Sequence, residues 1–245
     1  MSDRSFVARH LALIVIVSFA AAAIFLGGAR LLMGPIGVAD FAVGLTRARL
    51  PACGDLAGKT ASRELAWNAE ETASIDMPAT VRYSPHNGAA VTVTGDTALL
   101  SHVRIVEHGQ IELDCRARLG NERFDITLPG RPFRSFNMAG LTRLILSDID
   151  QDELHMNIAG NSTVEAAGKV DTVHVNAAGL SNANLSALEA EDAHLNLAGA
   201  SNVEVAATEN VMVNAVGTAT VTLVKEPHNL QTHVLGSVHV IHGAF

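Results

Sequence analysis

The chain has 245 residues, 48% of them hydrophobic, 17% charged and 4% aromatic, with mean hydropathy +0.25 and a formal net charge of −8. That length and apolar content suffice to bury a sizeable core in one or two domains, and the scarcity of aromatics leaves the packing to small and β-branched side chains. The acidic balance, with a pI near 5.7 and no basic stripe, argues against a nucleic-acid partner.

Residues 1–33 read as a membrane segment. After Arg4, Arg9 and His10 comes "LALIVIVSFAAAAIFLGG" (11–28), which carries no charge and one Ser. Crossing hydrocarbon takes about 20 apolar residues, whereas the apolar part of a cleaved signal peptide runs to roughly 7–15. The segment therefore reads as one transmembrane helix that stays attached, with secretion after cleavage as the alternative. Arg4 and Arg9 on one side and Arg30, Arg47 and Arg49 on the other do not fix its orientation by charge. Few residues precede the helix, so the body is expected to follow its C-terminal side out of the cytoplasm.

Residues 34–63, with "GLTRARLPACGDLAGKTASR" at 44–63, mix Gly, Pro and Arg and read as a juxtamembrane tether. Cys53 in this stretch and Cys115 further on are the only cysteines, and neither belongs to a metal-ligand or redox pattern. A disulfide tying tether to body and a pair of separate thiols are both compatible with an even count of two.

From 64 to 136 short alternating runs follow one another: "TASIDM" (72–77), "ATVRYS" (79–84), "AAVTVTG" (89–95), "HVRIVEHGQIELDC" (102–115) and "FDITLPG" (124–130). Each is bounded by Pro, Gly, Asn or Asp, the punctuation of strands.

The stretch 137–245 is periodic. Gly140, Gly160, Gly179, Gly199, Gly217 and Gly236 recur every 18–20 residues, and Asn137, Asn157, Asn176, Asn196 and Asn214 stand three places before the first five, with His233 in the sixth place. The chain has 14 Asn in all, so five at one offset reflect the repeat and not the composition. A fixed period of this size predicts an all-β fold, a parallel β-helix or β-solenoid with coils of about 19 residues stacked at about 4.8 Å. Alternation assigns the faces. Leu154, Met156 and Ile158, Val173, Val175 and Ala177, and Ala193, Leu195 and Leu197 point inward, while the His and Asn between them point outward. Glycine suits each corner because it tolerates positive φ, and Thr142, Ser162, Ser181 and Ser201 two places later are positioned to bond the corner backbone.

Those stretches carry a family resemblance. With "AWNAEETASIDMPATVRYS", "VTVTGDTALLSHVRIVEHGQIELDC" and the serial NxxGxS units, the body from about Glu64 to His242 resembles the putative auto-transporter adhesin family with a head GIN domain. That bacterial envelope family has members similar to parallel β-helices. The resemblance implies an envelope protein with an adhesin-like or envelope-structural role and no catalytic residues to carry over; together with the N-terminal membrane segment it gives the expectation of a body in the periplasm, tethered to the inner membrane by a single pass. Where relatives tend to have Gly-Ala-Gly-Asp or Gly-Ser-Gly corners, this chain has "GNST", "GLSN", "GASN" and "GTAT", so no corner Asp is carried over.

His155, His174 and His194 share one offset on three successive repeats and would line up roughly 5 Å apart, near enough for two to share Zn²⁺ or Cu²⁺. No Asp, Glu or Cys shares that offset, and a solvated polar ladder is the plainer reading, so no metal or cofactor is assigned. Lined-up amides and imidazoles also suit an envelope protein or a glycan. A polysaccharide-cleaving β-helix would need converging carboxylates with a Lys or Arg base. Here Glu165, Glu189, Glu191, Asp192 and Glu204 are scattered, Lys59, Lys169 and Lys225 are far apart in sequence, and no Gly-x-Ser-x-Gly, P-loop or HExxH motif occurs. No enzyme is expected, with a polysaccharide-binding or polysaccharide-cleaving protein as the alternative. The last repeat, "HVLGSVHVIHGAF" (233–245), ends the series, and its free edge predicts weak self-association or strand addition by a partner.

Overall fold

The computed structural model describes residues 50–67, 71–106, 109–117 and 123–243. These form an all-β fold whose single helical element is one turn, α1 (Thr97–Leu100). The apolar segment 11–28 read as an anchor lies outside the described residues, and among those described no helix is long and apolar enough to cross a membrane.

Ten strands make one sheet: β1 (Thr60–Ala66), β2 (Thr72–Ile75), β3 (Ala79–Tyr83), β4 (Ala90–Asp96), β5 (Val103–Val106), β6 (Gln110–Leu113), β7 (Phe124–Thr127), β8 (Ser135–Gly140), β9 (Thr142–Leu223) and β10 (Asn229–His242). At 82 residues, β9 is an unbroken run of extended chain that contains the corners as well as the straight parts. Its pairing shows how the chain returns on itself. Ser135–Gly140 lies parallel to the stretch 155–160 with Asn137 opposite Asn157 and Gly140 opposite Gly160. At the other end Asn229–His242 lies parallel to 210–223 with Gly236 opposite Gly217. The parallel register thus equals the sequence period.

The first half follows a less direct route. Both β2 and β3 lie under the first repeat, Thr72 opposite Ser135 and Ala79 opposite Thr142, and on their other side they pair in parallel with β6 and β7. Antiparallel strands then close that side, β4 on β7, β1 on β4 and β5 on β6. Between β3 and β8 the chain therefore leaves the parallel layers, builds their far side and comes back. Strand β1 begins at Thr60, inside the stretch the sequence assigns to a tether. Ala52 also bridges Arg116, and Cys53 and Cys115 are joined in a disulfide with Cα atoms 5.0 Å apart.

Burial alternates along the repeats as period-two patterning requires. Leu154, Met156, Val173, Val175, Ala193 and Leu195 are all fully buried. The interior of the repeats is Val, Leu, Ile and Ala, whereas large aromatics concentrate at its beginning. There Phe133 meets Trp67 and Tyr83 edge-to-face with centroids 5.2 and 5.3 Å apart. The hydroxyl column after the corners is buried too. Thr142 and Ser162 hydroxyls stand 2.9 Å apart, and Ser162 Oγ lies 3.3 Å from the Gly140 carbonyl and 3.5 Å from that of Ala159, so at this corner the bonds run between repeats and within one, whereas the buried Ser181 and Ser201 hydroxyls have no partner among the described residues.

Asp96 ties the 50–60 segment down. Its carboxylate accepts from the backbone N–H groups of Ala57, Gly58 and Ala98 at 3.0, 2.8 and 2.9 Å, capping α1 at the same time. The Ala57 N–H is the largest cause holding its pKa below the ordinary value of 3.8, with the other backbone donors adding to it. A folded-state pKa below the unfolded one stabilises the fold above about pH 4, and that contribution is lost as the pH falls through the depressed value. Melting temperature should accordingly fall between about pH 4 and pH 2 more steeply in the wild type than in Asp96→Asn; parallel curves would dissociate Asp96 from acid stability.

The face assignment gives a sharper test. Leu195→Asp puts an unpaired charge into a fully buried position and should cost at least about 3 kcal/mol, while His194→Asp beside it stays within about 1 kcal/mol. Equal shifts in denaturant midpoint for the two variants would contradict the alternation.

Candidate functional site: the outward columns

Because equivalent residues of successive repeats sit side by side, the outer face is made of columns. The Asn column is continuous. Asn137 Nδ2 donates to Ser74 Oγ at 2.9 Å, Asn157 to Asn137 Oδ1 at 2.7 Å, Asn176 to Asn157 and Asn196 to Asn176 at 2.8 Å, and Asn214 to Asn196 at 2.9 Å. His233 stands opposite Asn214 in β10 and ends the series. Each internal amide gives one bond and takes one, which holds neighbouring repeats in register.

The glycines take part in the same register. Gly199 has φ +111°, and a Cβ placed there would lie 2.5 Å from the Gly179 carbonyl oxygen, a backbone atom that cannot swing aside. Of the six sequence-assigned glycines, five would meet the preceding glycine's carbonyl in this way. Gly140 is the exception, with open space around it.

Two places before the Asn column runs the His column. The rings of His155 and His174 are stacked with centroids 4.5 Å apart and planes 6° from parallel, and His174 and His194 follow at 4.8 Å and 9°. Ser135 and Met212 hold the equivalent positions at either end. Burial, followed by the neighbouring His155 and His194, lowers the His174 pKa below the ordinary 6.5, so this ring is neutral at pH 7.

The structure adds an acid that the equal-offset argument misses. Glu153 Oε1 lies 3.0 Å from His155 Nε2 and 3.3 Å from His174 Nε2, bridging two repeats. The signal was present in the sequence, since residues two apart on a strand share a face, but it needed a search across adjacent columns. A second cluster among the described residues, His102, Asp114 and Cys115, is occupied by other bonds: His102 Nδ1 is 2.7 Å from Asp114, Arg104 pairs with the same carboxylate at 3.0 Å, and Cys115 is in the disulfide.

Other acids sit in surface ion pairs that do not converge. Glu165 pairs with Arg143 at 2.5 Å, Glu71 with Arg134 at 3.0 Å and Glu189 with Lys225 at 3.5 Å, while Asp192 accepts from Asn210. A recess of about 230 Å³ beside the corners is lined by Leu180, Ser181, Asn182, Ala200 and their neighbours, with no titratable side chain.

The amide ladder predicts a position effect. Asn176→Ala removes two amide bonds and should cost about 1–2 kcal/mol, whereas Asn214→Ala, with an amide on one side only, should cost about half as much. Denaturant midpoints that are unchanged, or that move more for Asn214→Ala, would show that the ladder does not hold the register.

Among solved structures, the fold is similar to that of a putative adhesin from Bacteroides fragilis, with TM-score 0.58 and 14% identity over 76% of this chain and 98% of the other. A putative lipid binding protein from Parabacteroides distasonis (TM-score 0.47, 13% identity, 78% and 99% coverage) and a putative adhesin from Parabacteroides merdae (0.44, 14%, 77% and 98%) are more distant. At these identities the likeness is one of fold alone. No curated protein matches the chain. The family described as putative auto-transporter adhesin, head GIN domain, matches residues 68–227, which covers strands β2 to β9 in full. The chain belongs to that family.

Proposed function

We propose that this protein is a non-catalytic, adhesin-like or envelope-structural module, a β-solenoid of about 19-residue coils held by its N-terminal segment in the bacterial inner membrane with the body in the periplasm. Its outward columns form the surface offered to an envelope protein or a glycan. One observation carries the reading: the Asn amides of successive repeats are bonded in a continuous ladder and the His rings beside them are stacked, so the outer face is an ordered array of amides and imidazoles. The recess beside the corners, without a titratable group, and the acids dispersed in ion pairs support the same view. Membership of an adhesin family agrees with it.

The edge of β10 is a second contact surface in this reading. Among the described residues it pairs with β9 on one side only, and it exposes Leu235 by 71% and Ile241 by 50%. Such an edge accepts another strand, and a second copy is the simplest donor.

Binding is tested with the full chain in lipid nanodiscs, presented to a glycan array, to purified envelope glycans and to a differently tagged second copy. Retention of a glycan or a copy, weakened at least tenfold by His194→Lys on the His column or by Leu235→Lys on the edge, supports the module. Release of new sugar ends from any polysaccharide contradicts it in favour of an enzyme.

Compartment is tested through the disulfide. Cys53 and Cys115 are 62 residues apart, and closing that loop contributes about 4 kcal/mol in the chain-entropy model. Alkylating reagent applied to protein from intact cells should label neither cysteine until reductant is added. Free thiols there would place the body in a reducing compartment.

A further inference from the structure

Beyond a docking role for the outer face, the structure assigns a specific ligand to one part of it. We propose that Glu153, His155 and His174 bind one divalent transition-metal ion of the Zn²⁺ class, which bridges two consecutive repeats.

The geometry carries the assignment. Both imidazole Nε2 atoms approach the same carboxylate oxygen, at 3.0 and 3.3 Å, and one donor atom of each of the three residues lies within 4.8 Å of the other two. A triangle with those edges has a centre about 2.4 Å or less from every corner, close to the roughly 2.0–2.2 Å of Zn–N and Zn–O bonds. The remaining adjustment is small. Stacked rings direct their lone pairs side by side, and a modest rotation of each ring turns them toward a common point. These side chains have the freedom for it, being 28% to 43% exposed.

The donor chemistry selects the class of ion. Two imidazoles and one carboxylate suit Zn²⁺, Co²⁺, Ni²⁺ or Cu²⁺, whereas Mg²⁺ and Ca²⁺ prefer oxygen ligands throughout. Three protein donors leave a fourth position open to solvent, as in zinc sites that exchange a ligand. Neighbouring groups favour a cation at this place over one elsewhere on the column. His194 continues the stack, but the acid two places before it, Asp192, is bonded to Asn210 through both its backbone and its side-chain nitrogen. The position two places before His174 is Thr172, so Glu153 serves both rings of the first pair.

The test uses full-length, tag-free protein in mild detergent, stripped with chelator and dialysed. Titration with Zn²⁺ should give one equivalent bound, and Co²⁺ should give the visible absorption bands of a four-coordinate nitrogen and oxygen site. Glu153→Gln and His174→Gln should each weaken Zn²⁺ binding at least tenfold and abolish the Co²⁺ bands, with metal-free circular dichroism as in the wild type. His155→Asn serves as a second ligand variant should either fail to fold. His102→Gln and His239→Gln, distant in the sequence, should bind as the wild type does, and Mg²⁺ should not compete. No Zn²⁺ uptake by the wild type, binding that survives loss of Glu153 and His174, or binding lost on His102→Gln would each overturn the proposal. These outcomes do not depend on whether a glycan or a protein docks on the face.

Discussion

Successive passes of this chain approach closely enough that a single Cβ decides whether they fit. At the corner after each Asn, the backbone of one repeat lies against the glycine of the preceding one, and a methyl group at Gly179, Gly199 or Gly217 would meet a carbonyl oxygen at 2.4 to 2.5 Å. Positive φ at each of these corners asks for glycine a second time. Once the corners are fixed at one spacing, the straight parts between them have no freedom to slip, because a shift of one residue would turn Leu195 out and His194 in. The repeat length, the face assignment and the backbone pairing are therefore one constraint seen from three sides.

That constraint makes the surface. Residues about 19 apart in sequence become immediate neighbours, so a residue type repeated at one offset becomes a row. Amides in a row satisfy one another, which is inexpensive in free energy and holds register. Imidazoles in a row stack; burial, followed by the flanking rings, favours the neutral form of the middle one, His174, and the nitrogens of His155 and His174 come together at one place. A carboxylate two residues away then sees two imidazoles instead of one, as Glu153 does. None of these properties belongs to an isolated strand. They arise from stacking, and a surface built this way can change its chemistry one column at a time while its interior of Val, Leu and Ala stays the same.

Much of this was legible in the residues. The Gly and Asn columns, the inward and outward faces and the all-β class follow from spacing and alternation, since those signals are local and recur. Strands β2, β3, β5, β6 and β7 fall inside the alternating runs, and β4 does but for Asp96, for the same reason. Long-range placement was not legible. Nothing in "HVRIVEHGQIELDC" says that it doubles back at Gly109, or that β6 and β7 lie beneath β2 and β3 rather than after them. The first four residues of β1, Thr60 to Arg63, fall in the tether by sequence because the stretch around them mixes Gly, Pro and Arg. The place of β1 is set by antiparallel pairing with β4, whose partners run from Thr60 with Asp96 to Ala66 with Ala90, a contact no local pattern signals. The cysteine pair stood open for a similar reason, as its proximity follows from the bridge between Ala52 and Arg116 and not from any motif. Glu153 lies one column over from the histidines it meets, so equality of offset does not pair them.

If each repeat of about 19 residues is an interchangeable layer, one layer can be taken out without disturbing those on either side. Deleting residues 160–178 joins Ala159 to Gly179 and leaves every Gly, Asn and inward position in its column. Thermal unfolding followed by circular dichroism should then show a strand-rich protein with a single cooperative transition, lowered by several degrees, while deletion of 160–168 alone should abolish cooperative unfolding. Equal loss of structure in both deletions, or a half-repeat deletion that melts like the wild type, would contradict the account.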